Sequence, residues 1–579
     1  MSDALQEAQR LYEEWIDALR EQRKQIEEDL RFSDPSDPQQ WDENLKMERE
    51  NDPGGKRPCL VMDQTSQYTA QVTGQLEKQP PSLHAIPVGG GADKQAAEQI
   101  DGRFRHIEYA SRASQHYARA MTSAARVGVG YLTIRPEYVD RALGWQEPRI
   151  GSEPDAMKVA FDPWSVELDG SDADGAFILT EFAERAFKKQ WPGKALRAFG
   201  DVENRREQGK AILIAEQWWK ETQTVKKVVY LDQDGIEQTA DSDEFAGLVV
   251  ASGGLIKPER EYSDKATVIR WRRMSGEDIL EDSEYLADYI GVVPIYGYVG
   301  FDRGRMKYCG IPRRARGPQQ AYNYHISEAM LPRTKLLVPE SALRGEGLHA
   351  IYDRAQTERR AYLPYIDKDE DGREIRPPTE VMMGSGSIDH EAAAERALRD
   401  IQAAIGMYQA NLGAPSNETS GVAIESRKQQ GESSTAHFPA HMAAGLGHVG
   451  KIVMQMDARL ADTRRKAPIM GIDGTSGSVT VDPEQQRAFM RLPNGGGVSI
   501  NPNLGTYGVR VVVGASYSTQ RTQTNAAFAE IMRGNKELAA VVAPFWAQTL
   551  DFPGSDKFAQ AMAAMAPEPV KAIIQPEGA

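Results

Sequence analysis

The first part of the chain has the spacing of apolar residues that is typical of amphipathic helices. Over residues 3–31 the apolar side chains recur mostly every three or four positions, between runs of Glu, Arg and Lys. This predicts one long helix with a single apolar face. Pro and Gly are frequent in residues 33–57, which predicts an irregular connection. Helical spacing returns over 59–76 and over about 93–127.

Residues 129–300 change to the two-residue alternation that is typical of β-strands. The segment YLTIRPEYV is a predicted strand, and we expect it to end at Pro136 because proline lacks the N–H that strand pairing needs. The segment KKVVYLDQDGIEQTA predicts a β-hairpin, since Asp234 and Gly235 readily adopt the positive backbone angles of a tight turn.

Further along the chain, proline and glycine set the expected boundaries. Gly317 and Pro318 are predicted to begin a short helix that Pro332 ends. Residues 332–388 are rich in Pro, Gly and charge, which excludes a long helix and predicts a compact mixed or β excursion.

A second helix is predicted over residues 389–412, with Asp389 as its cap and Gly413 as its stop. One apolar stripe along it needs a packing partner, because steps of three and four residues separate Leu398, Ile401, Ile405, Tyr408 and Leu412. Beyond it we predict helix over about 419–464 with an interruption at Pro439, strands around 467–482 and 508–514, and helices from about 521. The expected fold class is therefore α+β and helix-rich.

Composition narrows the class of protein. The chain has 579 residues, of which 40% are hydrophobic and 26% charged, which fits a folded globular protein and argues against a disordered or fibrous one. Its net charge of −15 disfavours a protein whose whole surface coats nucleic acid, so any such contact must be local. Cys59 and Cys309 are too few for a disulfide framework or a cysteine zinc site, so we expect a reducing compartment.

The sequence predicts neither export nor insertion into a membrane. The first residues, MSDALQEAQRLYEEW, are charged and lack the apolar core of a secretory signal. The most apolar stretches, 289–301 and 538–550, fall short of the roughly 18 apolar residues that a membrane-spanning helix needs.

One segment resembles a nucleotide site. Residues 445–451 match both G-x-G-x-x-G and the first seven positions of a phosphate-binding loop. Ile452, however, stands where that loop needs a Ser or Thr to hold magnesium, and the preceding residues have helical spacing. We therefore expect close helix packing at small residues and no nucleotide site.

Acidic and histidine motifs give no firm chemistry either. Asp367, Asp369 and Asp371 begin like a calcium loop, but its twelfth position is Pro378 rather than Glu, so a solvated acidic turn is expected. The triplet His437, His441 and His448 shares a helical face without the Glu of a zinc protease motif, and we expect polar helix surface there. No G-x-S-x-G elbow occurs, and the sequence predicts no catalytic, cofactor or metal residue.

A basic cluster lies between Ile311 and Lys335. Five residues, Arg313, Arg314, Arg316, Arg333 and Lys335, stand there against Glu328 alone, for a local net charge of +4. This charge suits either non-specific contact with phosphate or pairing with acidic groups of another subunit. The sequence alone leaves both interpretations open.

Several long segments, taken in order, carry a family resemblance. They are KRPCLVMDQTSQYTAQVTGQLEKQPPSLHAIPV, IEYASRASQHYARAMTSAARVGVGYLTIRPEY, VAFDPWSVELDGSDADGAFILTEFAERAFKKQWPG, PRRARGPQQAYNYHISEAMLPRTKLLVPE, SGVAIESRKQQGESSTAHF and YGVRVVVGASYSTQRTQTNAAFAEIM. Together they resemble the portal protein of short-tailed, double-stranded-DNA bacteriophages over most of the chain. No single segment is a mechanistic motif, but their order is specific.

The resemblance implies the phage portal fold, a ring of about twelve chains with wing, stem, clip and crown regions around a central channel. The implied regions are 1–317 for the first part of the wing, 318–331 for the first stem helix, 332–388 for the clip, 389–412 for the second stem helix, 413–520 for the channel loop and the rest of the wing, and 521–579 for a crown without a long helical barrel.

The implied function is a head-to-tail connector at one capsid vertex, through which DNA passes during packaging and ejection. The implied partners are further copies of the chain in a dodecamer, double-stranded DNA held transiently, terminase, major capsid and scaffolding proteins, and head-tail adaptor proteins. The resemblance implies no cofactor, no enzymatic activity and no membrane, with assembly in the host cytoplasm and a final place in the virion.

Candidate residues follow from these implied regions. The DNA-channel candidates are Arg313, Arg314 and Arg316, for their charge near the stem, and Asn417 and Glu418, for their position in the implied channel loop. The candidates for docking a basic packaging motor or adaptor are Asp367, Asp369, Glu370 and Asp371. Over about twelve chains the net charge would reach roughly −180, which keeps DNA from adhering as it slides.

Two other functions remain as alternatives. A nucleotide-using motor would place its site at residues 445–451. A virion scaffold or adaptor without a channel would also fit the acidic surface and the amphipathic N-terminal helix.

Overall fold

The computed structural model describes most of the chain up to residue 512 and a few isolated positions beyond it. The described ranges are 3–52, 56–78, 80–89, 92–200, 211–231, 237–242, 245–246, 249, 257–330, 334–344, 347–354, 363–382, 386–407, 435–471, 475–492 and 497–512. The chain divides into two units, one of Met1–Thr73 with Leu83–Arg510, and one of Gly74–Ser82 with Val511–Ala579. Of the second unit the structure describes little more than a helix end, and the account below concerns the first.

Helices and strands are mixed along the whole described chain. The helices are α1 (Asp3–Ala18), α2 (Arg20–Phe32), α3 (Glu43–Glu50), α4 (Ser66–Lys78), α5 (Lys94–Ser111), α6 (Ala113–Val127), α7 (Glu184–Gln190), α8 (Ile311–Ala329), α9 (Leu348–Arg354), α10 (Gly386–Ile405) and α11 (His437–Leu460). Short 3-10 turns occur at Ala156–Lys158 and Glu340–Leu343.

The strands form one large sheet and several small ones. They are β1 (Ser82–Pro87), β2 (Val129–Asp140), β3 (Trp145–Glu153), β4 (Val159–Phe161), β5 (Gly175–Ala183), β6 (Ala211–Leu231), β7 (Glu237–Asp241), β8 (Pro258–Met274), β9 (Ile279–Glu284), β10 (Val292–Tyr296), β11 (Tyr298–Asp302), β12 (Arg305–Cys309), β13 (Thr334–Leu337), β14 (Thr379–Met382), β15 (Arg465–Met470), β16 (Ser476–Val481), β17 (Phe489–Arg491), β18 (Val498–Ile500) and β19 (Tyr507–Val512). The α+β class is confirmed.

The large sheet has the strand order β4-β5-β6-β8-β9, with β7 paired to the far end of β6. All its pairings are antiparallel, and the β6–β7 hairpin confirms the predicted one, although its turn at Asp234 and Gly235 lies outside the described residues. The apolar face of α1 packs on this sheet, where Trp15 meets Phe177 edge to face with ring centroids 5.4 Å apart.

A second layer is the three-stranded sheet β10-β2-β3, on which α6 packs. Strand β2 continues through Pro136, so the predicted break is wrong. The N–H of Ile134 points away from β3 toward Gly291, and Pro136, two residues on, has its nitrogen on that same side. Strand β10 pairs only as far as Thr133, so the missing N–H costs no strand bond.

The helix α8 packs against α10, and the two run antiparallel. His325 near the end of α8 meets His390 near the start of α10. At the other end, Tyr298 donates to the carbonyl of Ile405 and lies under Arg314 of α8. The chain between the two helices contains α9 and the short β13–β14 pair, which agrees with the predicted mixed excursion.

Several predicted boundaries are corrected by the structure. The helix over 3–31 is broken at Leu19 into α1 and α2, and the irregular connection 33–57 contains α3. Residues 59–65 are not helical, so α4 begins later than predicted. The helix over 93–127 is divided at Arg112, whose φ of 51° is left-handed.

The two long helices also differ from prediction at their ends. Helix α8 begins at Ile311 with Pro312 in its first turn, so Pro318 lies inside the helix instead of opening it. Helix α10 begins before Asp389, and Gly406, with a φ of 79°, follows its last residue, well before Gly413. Pro439 lies in the first turn of α11, where a proline does not interrupt a helix.

Candidate channel and docking sites

The basic residues at the start of α8 lie against the acidic end of α2. Arg313 pairs with Glu28 at 3.0 Å and with Asp29 at 2.9 Å, and Arg316 pairs with the same Glu28 oxygen at 2.7 Å. The hydrogen bonds from both arginines lower the pKa of Glu28. Two of the predicted DNA-channel candidates are thus neutralised by carboxylates of their own chain. The sequence alone indicates only contact with phosphate or pairing with another subunit.

The third candidate, Arg314, has a different environment. Its guanidinium lies 4.0 Å from the centroid of the Tyr298 ring, in the geometry of a cation–π contact. Arg314 is exposed, and no carboxylate among the described residues pairs with it. It therefore keeps its charge available to a ligand outside the chain.

The other two channel candidates, Asn417 and Glu418, lie outside the described residues, as does Arg333. The backbone of Lys335 is placed in β13, but its side chain is not described. The channel role of all five candidates, Arg313, Arg314, Arg316, Asn417 and Glu418, stays a prediction.

The acidic turn, residues 367–371, closes on itself. Lys368 and Glu374 form an isolated bridge, and one carboxylate oxygen of Asp369 accepts the N–H groups of Asp371 at 3.0 Å and Arg373 at 2.9 Å. Asp369 therefore organises the turn instead of facing a ligand. The other acidic side chains, Asp367, Glu370 and Asp371, are exposed, as expected for a solvated turn.

Histidines of α11 are more buried than the sequence predicts. His448 is 1% exposed and stands edge-on to the ring of Tyr289 at 4.6 Å, so the expectation of polar helix surface is wrong for it. Burial lowers its pKa to about 4. His441 approaches the carbonyl of Gly297 at 2.9 Å. In the part of the chain that the structure describes, no group of three His, Cys, Asp or Glu residues could hold a metal ion.

The nucleotide-like segment 445–451 lies in the middle of α11, where a phosphate cradle is impossible because the backbone N–H groups are used within the helix. The glycines of this segment allow neighbouring strands to pack closely against α11. A Cβ at Gly445 would overlap the side chain of Ile295, and one at Gly450 would come within 2.5 Å of Val509. Close packing at small residues is confirmed.

A buried polar face on α8 was not predicted. Gln319, Asn323 and Ser327, spaced four residues apart, are each 0% exposed. They face an extended segment, residues 60–64, here called the strap. Each side chain accepts one alternate N–H of the strap: Ser327 that of Leu60, Asn323 that of Met62 and Gln319 that of Gln64, all at 3.0 Å.

The geometry of the two elements explains this match. Four helical residues advance about 6 Å and two extended residues about 6.6 Å, so the repeats stay in step over three bonds. Gln319 also donates to the carbonyl of Met62 at 2.9 Å, and Asn323 donates to Gln40 at 2.9 Å. The polar stripe at i, i+4 and i+8 is visible in the sequence, but such a stripe usually indicates solvated helix surface. The spacing alone therefore does not show that these side chains bind the strap.

The described helices include none that is long and apolar enough to cross a membrane. The fold and its sites thus define a mixed α+β protein in which a long antiparallel helix pair carries a small excursion with an acidic turn. Comparison with known proteins then gives the family. A model of the Phage P22-like portal protein family matches residues 9–578.

The chain is also similar to a protein named Portal protein from Acyrthosiphon pisum secondary endosymbiont phage 1. The two are 23% identical over 483 residues, which is 76% of this chain and 64% of that relative. The chain thus covers less than two thirds of the relative's length. With nearly its whole length matched by the family model, the chain belongs to the P22-like portal protein family.

Proposed function

We propose that this chain forms the portal ring of a phage capsid, a head-to-tail connector at one vertex through which DNA enters during packaging and leaves during ejection. The observation that carries the proposal is the family match over residues 9–578, which is nearly the whole chain. In this proposal about twelve copies surround the channel, and the finished ring is a component of the virion.

The helix pair supports the assignment of regions. Helices α8 and α10 run antiparallel and enclose an excursion, which is the connectivity that a stem and a clip require. We assign the pair to the stem and the excursion to the clip. The stem then begins at Ile311 instead of residue 318 and includes all three basic candidates, Arg313, Arg314 and Arg316.

The charge balance supports a conduit that DNA passes without being held. Each chain carries a net charge of −15, and two of the three basic stem candidates are already paired with Glu28. Phosphate binding strengthens with each cation that is free to displace counterions. Arg314 remains as a weak, local contact to DNA in this proposal.

A direct experiment tests the ring. The full-length chain is purified and examined by native mass spectrometry and electron microscopy over a range of NaCl concentrations, with and without co-expressed capsid and scaffolding proteins. We expect rings of about eleven to thirteen chains with a central opening. A monomer or dimer in every one of these conditions would contradict the proposal, and a closed assembly without an opening would favour the adaptor alternative.

Within this function, we assign the acidic turn to contact with a basic motor or adaptor. Reversal of Asp367 and Asp371 to Lys leaves Asp369 in place, so the turn still folds. We expect the variant ring to lose at least about tenfold in affinity for the large terminase subunit or the adaptor at low salt. Reversal of Glu43 and Glu48, also exposed, is the matched control. Equal binding by both variants would remove the turn from the interface.

The nucleotide-motor alternative loses its support, because residues 445–451 are helical and their glycines serve packing.

A further inference from the structure

The large sheet carries one helix on each of its two faces. Leu213 and Ala215 of β6 point to one face, where they pack with Trp15 of α1. Ile212 and Ile214 point to the opposite face, where they pack with Phe187 of α7. Since alternate residues of a strand face opposite sides, α1 and α7 lie on opposite sides of the same sheet.

The outer side of α7 and the turn after it is basic. Phe187 and Trp191 point into the sheet, whereas the residues between them from Lys188 to Gln190, and those just after them from Pro192 to Lys194, are exposed. Over residues 184–194 the charged residues are Glu184 against four exposed cations, Arg185, Lys188, Lys189 and Lys194, for a net charge of +3. We call these four cations the basic surface.

The outer side of α1 is acidic. Leu5, Ala8 and Trp15 point into the sheet and leave the charged residues exposed. They are Arg10 against five carboxylates, Asp3, Glu7, Glu13, Glu14 and Asp17, for a net charge of −4. We call these five carboxylates the acidic surface.

Contacts within the chain neutralise little of either surface. On the acidic surface Asp17 pairs with Arg20, and on the basic surface Lys188 pairs with Glu184 and Lys194 with Asp278. No ion pair among the described residues involves Glu13, Glu14, Arg185 or Lys189. These charges are available to a partner of opposite sign.

We propose that, in the ring, the basic surface of one copy docks on the acidic surface of the next copy. The proposal rests on the ring function above. A closed ring is built from heterologous contacts, so every copy must present two different surfaces that fit each other. The two surfaces described here have net charges of opposite sign and lie on opposite faces of one sheet, so each copy presents two different and electrostatically complementary surfaces.

DNA is the other polyanion that the basic surface could bind. The overall net charge of −15 opposes its approach, whereas the next copy presents carboxylates already spaced on a helix. The second copy is therefore the partner that the charges favour, and DNA binding is an outcome that the experiment separates.

Three charge variants test the contact. The first is Arg185→Glu with Lys189→Glu, the second is Glu13→Lys with Glu14→Lys, and the third combines all four changes. We expect each double variant alone to lose at least about tenfold of its ring fraction at about 150 mM NaCl, because like charges then face each other. We expect the combined variant to regain rings, since the charges are exchanged across the interface.

Mixing the two double variants distinguishes loss of the contact from misfolding of a variant. In an alternating ring every basic surface, native or reversed, meets a surface of opposite sign, so an equal mixture should form rings although neither variant does alone. Arg305→Glu with Lys307→Glu, on the exposed β11–β12 hairpin, is the matched control and should leave the ring unchanged. The readout is native mass spectrometry of the full-length chains.

The outcomes separate the proposals. Rings from the wild type and from every variant would overturn this contact while the portal function stands. Unchanged rings with weaker duplex DNA binding by the first variant would assign the basic surface to DNA. Double variants that form no rings even when mixed would also overturn the contact. No ring from the wild type under any condition would overturn the portal function and this inference with it.

Discussion

Buried polar side chains join distant parts of this chain. Arg103 of α5 is 3% exposed and bonds to Asp457 of α11 at 2.6 Å and to Glu147 of β3 at 3.2 Å. Hydrogen bonding to His106 and the nearby charge of Arg103 hold the pKa of Glu147 at about 2, against the effect of its burial. Such pairs are costly to break singly, because the remaining charge stays buried.

His448 makes the stability of the fold depend on pH. Its folded pKa is about 4, against about 6.5 in an unfolded chain, so only the unfolded chain takes up a proton between these values. Stability from this residue is complete above pH 6.5 and falls as the pH drops toward 4. At about 1.4 kcal/mol per pH unit, the wild type loses about 2 kcal/mol between about pH 7.5 and pH 5.

Urea unfolding at these two pH values checks the effect by comparing the wild type with His448→Leu. We expect the variant to lack this part of the pH dependence, while other titrating groups cancel in the difference. His349→Leu, at an exposed position, is the control and should behave as the wild type does. Identical pH dependence in His448→Leu and the wild type would contradict the prediction.

At the level of residues, the sequence identified charge but not its partners. The cluster Arg313, Arg314 and Arg316 is visible as composition, whereas its pairing with Glu28 joins residues 288 positions apart in the case of Arg316. The polar face of α8 was missed for the same reason. A buried and a solvated polar stripe have the same spacing, and only the tertiary partner distinguishes them.

The elements were predicted more reliably than their ends. The order of helix-rich and strand-rich regions follows from apolar spacing, and the hairpin, the helix pair and the excursion are where the pattern placed them. The ends failed where tertiary packing outweighs local preference. Pro318 is tolerated inside α8 because the buried residues on both sides of it, Ala315 and Gln319, extend one packed face.

The bond series between α8 and the strap gives a prediction for these elements. Gln319→Leu keeps the side-chain volume but removes the acceptor for Gln64 N–H and the donor to Met62. We expect a loss of about 2–4 kcal/mol in the free energy of unfolding, because backbone groups are left unpaired. Hydrogen exchange at the Gln64 amide should become faster, which reports the strap directly.

The neighbouring residue supplies the control. Gln320→Leu makes the same chemical change on the same helix, but no strap bond involves Gln320 among the described residues. We expect it to leave strap exchange unchanged. Equal acceleration by both variants would mean that the helix as a whole, instead of the Gln319 bonds, holds the strap.

At the scale of the whole molecule, the net charge is negative, but positive and negative side chains are clustered on different surfaces. The basic cluster between Ile311 and Lys335 is visible in the composition of the chain, but the basic surface of α7 was missed, because KKQWPGK has the pattern of an ordinary solvated helix end. Its significance depends on the acidic surface across the sheet, and opposite faces are a property of the folded strands alone. The overall class and family, by contrast, were recognised from the order of segments.

The charges at the start of α8 give a prediction for the assembled protein. Glu28→Gln removes the carboxylate that lies between Arg313 and Arg316, which frees the charge of Arg316 and leaves Arg313 paired with Asp29. We expect affinity for a short DNA duplex to rise several-fold at about 50 mM NaCl and the gain to shrink at about 150 mM. Fluorescence anisotropy measures it. Glu27→Gln, which affects only an exposed pair with Arg31, is the control, and equal affinities in the two variants would contradict the prediction.

The strap also has a consequence for synthesis of the chain. Its N–H groups are bonded by side chains that lie far downstream, with Gln64 and Gln319 separated by 255 positions. At about 5–20 residues per second, a ribosome needs about 13–50 seconds to reach α8 after it has made the strap. During this interval the strap lacks its native bonds, so the N-terminal part of the chain cannot complete its fold before α8 has been made.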